Sequence, residues 1–376
     1  MRVAIDLTAL LPERTGVDTY LLGLVRGLAE VDGDTRYTLF VNAEDAPALE
    51  GLPPTFTVRR ASLRPRPVRL AFQQAFLPAF AAARGIDVVH SPAFITPLVH
   101  GRQRHLLTIH DLTFFSIPEA HTRLRRSGAY LALVGHSIRR ADRISVPSAW
   151  VAAELRRQFP DVPADRTRVD PLGVAARFRP HPDPSETLRR LGVEPPYLLF
   201  VGTLQPRKNI LGLLAGYRAL VARRPDAPRL VLAGTPGWGG EELERALADP
   251  ALAGRLVLPG YVADKDMPAL YSGAELFVFP SLAEGFGFPP LEAMACGTPV
   301  VAGDATALRE NLAGAAELVP PGDSDALAET FARLLADERE RAALSARGLE
   351  RARRFTWTEL ARRVAASYAE LAATRS

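Results

Sequence analysis

At 376 residues, 47% apolar and 23% charged, the chain is long for a single core and has the composition of an ordinary soluble globular protein, which points to two domains. One cysteine, Cys296, excludes an internal disulfide framework. With no apolar run long enough to span a bilayer, the expectation is a cytoplasmic protein without a transmembrane anchor. The net charge of +4 is uneven: residues 1–182 carry 24 Arg against 17 Asp and Glu, whereas residues 183–376 carry 22 Lys and Arg against 25. No aromatic-interleaved basic stripe accompanies the basic half, so nucleic acid is not the expected partner, and an anionic lipid face or a phosphorylated acceptor is.

Met1-Arg2 leads directly into VAID (3–6), a first strand, so no leader peptide is expected. A loop with Gly16 at its turn then opens an apolar helix over Val17 to Leu28. YTLFV (37–41), IDVVH (86–90), LLTIH (106–110) and RISVP (143–147) read as further strands. His110-Asp111 closes one of them at its carboxyl end, and Ser148 suits a helix N-cap. The Pro-rich stretch 177–196 reads as a linker. Beyond it, YLLFV (197–201), a helix over Asn209 to Arg223, RLVLAG (229–234), RLVLPG (255–260), LFVFP (276–280), TPVVA (298–302) and AELVP (316–320) repeat the rhythm. From Ser324 three helices follow, the last placing Trp357, Leu360, Val364, Tyr368 and Leu371 on one face. Strand and helix alternating twice predicts two doubly wound parallel sheets, with domains 1–180 and 181–355 and a closing helix 356–376 packed back on the first.

Two motifs carry chemistry. In GTLQPRKN (202–209) the cations Arg207 and Lys208 stand at the carboxyl end of a strand and the start of a helix, which suits a diphosphate leaving with extra negative charge. In EGFGFPPLEAMACGTPV (284–300) Glu284 lies on a glycine loop after a strand, Glu292 is placed on the first turn of the next helix, and Pro289-Pro290 suit that turn. Gly285 and Gly287 admit a ligand close to the backbone, whose N–H groups favour phosphate, while carboxylates favour sugar hydroxyls. A nucleotide-sugar offers both. The seven histidines and one cysteine form no metal set, and neither GxGxxG nor GxxxxGK[ST] occurs.

TGVDTY (15–20), HDL (110–112), VPS (146–148), PLGV (171–174), VGTLQPRKN (201–209), LAGTPGWG (232–239), LPGYV (258–262), SLAEGFGFPPLEAMACGTPVV (281–301) and FTW (355–357), in that order, resemble the retaining family 4 glycosyltransferases of the GT-B fold. The likeness is strongest to bacterial mannosyltransferases of polysaccharide or lipid-linked glycan synthesis. It implies an α/β fold of two Rossmann-like domains facing a central cleft, and transfer of a hexose, first of all mannose from GDP-mannose, to a glycan or lipid-linked acceptor. It implies that Arg207 and Lys208 grip the donor diphosphate, Glu284 approaches the transferred sugar and Glu292 holds the ribose. Gly285, Phe286, Gly287, Phe288, Pro289 and Leu291 line the donor, His110 stands near the reacting centre, and Gly16 lies near the diphosphate. Two departures stand out: Thr203 occupies a position where many members have arginine, and the amino-terminal loop has one glycine where two are frequent.

Retention without an obvious protein nucleophile resembles same-face substitution, with Glu284 orienting the sugar and no metal required. Two other readings stay open on sequence: a GT-B nucleotide-sugar epimerase and a non-catalytic nucleotide-sugar-binding subunit. Arg59, Arg60, Arg64, Arg66 and Arg69, followed by LAFQQAFLPAFAAA (70–83), read either as a solvated loop before a core helix or as a basic surface resting on the inner face of an anionic membrane.

Overall fold

The structure is a computed structural model describing residues 1–11, 15–116, 127–235, 237 and 240–374, without the side chain of Arg66. Pro12, Glu13 and Arg14 before Gly16, His121, and Pro236, Trp238 and Gly239 of LAGTPGWG lie outside the described residues.

Short runs of β-branched, aromatic and leucine side chains, apolar on both faces, form the central strands of two wholly parallel sheets. The first contains β1 (Arg2–Asp6), β2 (Arg36–Asn42), β3 (Phe56–Ala61), β4 (Val88–Ser91), β5 (Arg104–Thr108), β6 (Arg143–Val146) and β7 (Thr167–Val169), in the order β3-β2-β1-β4-β5-β6-β7. The second contains β8 (Tyr197–Val201), β9 (Arg229–Ala233), β10 (Leu256–Gly260), β11 (Leu276–Phe279), β12 (Val300–Gly303) and β13 (Glu317–Val319), in the order β10-β9-β8-β11-β12-β13. Each order reverses beside its first strand, at β1/β4 and at β8/β11. Connections part to opposite faces there, which leaves a crevice at the carboxyl ends where α/β sheets bind ligands. The second crevice is pinned by the pairing of Leu276 with Leu198 and Phe277 with Leu199, and all four side chains are fully buried.

The chain divides into two compact units, Met1–Gly173 with Thr356–Ser376, and Val174–Phe355. Residues 174–180, placed on sequence in the first domain, pack in the second unit: Phe178 meets Tyr271 edge-on at 5.9 Å and Arg177 pairs with Asp264 at 3.1 Å. Within the stretch read as linker, Ser185–Arg190 is helical and buries Leu188. The Pro-rich flanks of that stretch obscure so short a helix.

The helix Trp357–Ala373 buries Leu360, Val364, Tyr368 and Leu371. It lies against the helix Gly16–Val31, whose Gly23 makes room for Trp357: a Cβ there would stand 2.4 Å from the indole. Beneath it runs a buried polar row. Tyr368 Oη meets His90 Nδ1 at 2.7 Å, His90 Nε2 meets Thr108 Oγ1 at 2.8 Å, and Thr108 meets Tyr20 Oη at 2.9 Å. Burial pushes His90 down to about 3, so this imidazole is neutral.

The segment after β3 is neither wholly core nor wholly surface. Phe72, Leu77 and Ala81 are buried, while Val68, Leu70 and Phe76 are exposed. Arg64 has its charge taken up by Glu44 and Asp45. Among the described residues no helix is long and apolar enough to cross a membrane.

Candidate active site

Two loops meet at the β8/β11 crevice. After β8, Gly202 (φ 147°) turns the chain into the 3-10 turn Pro206–Lys208, and the helix Ile210–Arg223 follows. After β11, Ser281 to Gly287 lead into the helix Phe288–Ala295. Since β8 and β11 are neighbours, residues 76 and 77 positions apart come into contact: Lys208 Nζ donates to Glu284 Oε1 at 2.6 Å, and Arg207 Nη1 donates to Glu284 Oε2 at 2.8 Å. Ser281 Oγ adds a third bond to Oε1 at 2.5 Å. Arg207 also donates to the Ala283 carbonyl, and Lys208 Nζ lies 4.5 Å from the centre of the Phe279 ring.

Lys208 and Glu284 are both more than nine-tenths buried. Burial alone would raise the Glu284 carboxyl, but Arg207 and Lys208 outweigh it and hold the group down at about 2. Two cations thus converge on one carboxylate at the carboxyl ends of two strands. Such a place receives an anion, and a dianion most of all.

Gly287 starts the helix at φ 95°, with a missing Cβ that would stand 2.5 Å from Leu308. Pro289 and Pro290 remove two of the N–H groups that a helix start leaves unpaired. Gly285 and Phe286 are buried, and the Phe286 carbonyl accepts from Asn311 Nδ2 at 2.8 Å, its ring edge-on to Phe288 and Phe355. The Leu291 side chain is fully buried in the core, which leaves its backbone to face a donor. Glu292 is the fifth residue of the helix and so lies on its second turn, not its first, because the helix begins at Phe288. It accepts from Tyr271 Oη at 3.0 Å. Burial pushes its carboxyl up to about 7, against the pull of that hydroxyl. Glu284 and Glu292 are thus in opposite states near neutrality, one firmly ionised and one poised to take a proton.

In the first unit His110 follows β5 and donates from Nε2 to the Pro92 carbonyl just beyond β4, at 2.8 Å, since a carbonyl can only accept. Tyr20 and Phe94 fence its ring edge-on at 4.7 and 5.5 Å. Asp111 accepts from Thr113 N–H and Oγ1 and so serves the turn into the next helix. Gly16 is the exposed first residue of its helix, whose start is tied by Asp18 accepting from the Thr15 and Leu11 amides at 2.7 and 2.9 Å. That carboxylate occupies part of what an anion would need there. The structure therefore joins Arg207, Lys208 and Glu284 directly, places Glu292 on the adjoining helix, and sets His110 and Gly16 in the other unit.

Ser281, Thr306, Tyr271 and Phe279 complete the second unit's site and were missed on sequence. Phe279 and Ser281 left a trace, both lying in the run LFVFPS just before Glu284; Tyr271 and Thr306 come from separate segments and left none. Among the described residues no group of three His, Cys, Asp or Glu could hold a metal ion.

The family model described as Glycosyltransferase Family 4 matches residues 14–178, and that described as Glycosyl transferases group 1 matches residues 195–337. The O-antigen chain mannosyltransferase B of Escherichia coli is 33% identical over 359 residues, covering 91% of this chain and 93% of that one. Among solved structures, the sucrose-phosphate synthase of Thermosynechococcus elongatus matches with a TM-score of 0.79 at 24% identity, covering 99% of each chain. HepE of Anabaena in complex with UDP-glucose matches at 0.78 and 20%, covering 98% of this chain and 100% of that one. At these identities the structural likeness shows the fold, which is GT-B.

Proposed function

The chain belongs to the family 4 glycosyltransferases, and from that premise we propose that it moves a hexose, mannose from GDP-mannose in the first instance, to a hydroxyl of a glycan or lipid-linked acceptor, retaining the anomeric configuration. The observation that carries this reading is the junction of Arg207 and Lys208 with Glu284 at the β8/β11 switch point. The two cations take the donor diphosphate and stabilise it as it leaves, which asks for no metal. Glu284, ionised and ringed by donors, is a poor nucleophile and a good anchor for sugar hydroxyls, so it orients the hexose. Retention then follows from same-face attack, the departing phosphate helping to deprotonate the acceptor. Glu292 receives the ribose, and the backbone of Gly285 to Pro289, with that of Leu291, lines the donor. In the first unit, His110 serves near the reacting centre and Gly16 near the diphosphate. The name of the Escherichia coli relative favours mannose, and the UDP-glucose held by HepE favours a nucleotide-sugar of whatever base.

An anionic membrane face is the proposed partner of the first unit. Arg59 and Arg60 are exposed on β3, an edge strand, and Val68, Leu70 and Phe76 are exposed just beyond it. Gln74 bonds the Thr96 carbonyl and the Leu98 amide to that run, adding exposed Leu98 and Val99. Cations beside apolar side chains suit a lipid surface.

The test is a thermal-shift screen against GDP-, UDP-, ADP- and dTDP-sugars, followed by NMR of the transfer product. A ligand at 100 times its Kd adds roughly 2.7 kcal/mol. A stabilising donor and an axial-to-axial product support the proposal, whereas an inverted product or an epimerised donor contradicts it.

A further inference from the structure

Thr306 is a β-branched residue at φ 49°, in the left-handed region that favours glycine. It opens the helix Thr306–Asn311, where a threonine hydroxyl near the start ordinarily caps its own helix, yet no side chain caps this one. Its Oγ1 instead accepts the backbone N–H of Glu284, 22 residues away, at 2.8 Å. One residue on, the Ala307 N–H donates to the Glu284 carbonyl at 3.4 Å, so the loop leaving β12 holds Glu284 by both backbone groups. The same loop presses on Ser281: a Cβ at Gly303 would stand 2.7 Å from the Ser281 carbonyl. Glycine at 306 would satisfy the chain path without strain, but only a side chain with an acceptor oxygen can meet that amide. Strain of this kind persists where the surroundings over-determine it, and here what it secures is the residue bearing the site's carboxylate.

We propose that Thr306 is a positioning residue of the transfer reaction, fixing the Glu284 backbone so that its carboxylate stands where the transferred sugar must be held. This rests on the reading of Glu284 as the group that orients the sugar. A shift of the carboxylate by a fraction of an ångström lowers the rate while leaving contacts to the rest of the donor in place, because orientation is felt mainly in the transition state.

Three variants separate the hydroxyl from the strain. Thr306→Ser keeps the hydroxyl, Thr306→Ala removes it and keeps the strained backbone, and Thr306→Gly removes both. Steady-state transfer and amide hydrogen exchange at Glu284 are measured on each full-length protein. The Ala and Gly variants are expected to lose about tenfold in kcat with donor KM changed less than about threefold, and to exchange the Glu284 amide faster. Thr306→Gly does so with a Tm at or above that of Thr306→Ala, and Thr306→Ser stays near the wild type in both readouts. Wild-type rates in Thr306→Gly, or a Ser variant as impaired as Ala, would overturn the proposal. If the wild type transfers no sugar, the functional reading fails by itself, and unchanged exchange in Thr306→Ala overturns the positioning role independently.

Discussion

Glu284 and Glu292 lie eight positions apart and have opposite electrostatics, which yields two tests. Changing Glu284 to Gln removes the carboxylate on which Arg207 and Lys208 converge, and removing one side of a buried pair costs about 3–5 kcal/mol. A diphosphate should replace the missing anion. GDP is therefore expected to raise the Tm of Glu284→Gln by more than it raises that of the wild type, where it must compete with the carboxylate; an equal or smaller shift would contradict the assignment. For Glu292, a folded-state value of about 7 against an ordinary 4.5 means that the folded chain binds the extra proton between those values. Stability contributed by this group is present below pH 4.5, falls as pH rises to 7, and is flat above. Glu292→Gln should accordingly be more stable than the wild type at pH 8, by on the order of 3 kcal/mol, and equal to it at pH 4. Denaturant titrations at the two pH values check this, and a gain of the same size at both would remove burial as the cause. Lys208 and Glu284 were each legible as candidates from their place after a strand. Their contact was not, because it depends on β8 and β11 being neighbours, which no local pattern reveals.

The strand–loop–helix unit around Gly287 shows why part of the fold reads easily. LFVF is apolar throughout because β11 is buried on both faces, and its boundary is marked by Pro280, two glycines and a double proline. Gly287 is required by its φ of 95° and by Leu308, so Gly287→Ala should lower stability by more than about 1 kcal/mol and slow transfer, read by thermal unfolding and by rate. A neutral Ala variant would mean that the loop repacks without cost. β3 and β7 escaped detection for the opposite reason. Both are sheet edges: β3 carries two exposed arginines in FTVRRA, and β7 has only three half-buried residues, so neither shows an apolar run. Charge on an edge strand also prevents unwanted pairing, which is the competing explanation for Arg59 and Arg60.

Across the molecule, the closing helix was legible as an apolar stripe, and Gly23, which seats Trp357, was not, since a lone glycine inside a helical pattern carries no sign of what packs on it. The basic, apolar-tipped surface of the first unit predicts co-sedimentation with anionic but not neutral vesicles, lost at high salt and in an Arg59→Gln, Arg60→Gln, Phe76→Ser variant that still binds donor. Equal binding to neutral vesicles would leave the arginines with the edge-strand role alone. Arg207 and Lys208 are proposed to receive the diphosphate of a nucleotide-sugar as its hexose is transferred. The most direct test is the rate of nucleoside diphosphate release from GDP-mannose with acceptor, in the wild type and in Lys208→Ala. A charge-assisted bond to the leaving group is worth roughly 1.5–3 kcal/mol, so the rate should fall by about ten- to more than a hundredfold. Release at the wild-type rate in Lys208→Ala would mean that the diphosphate is received elsewhere.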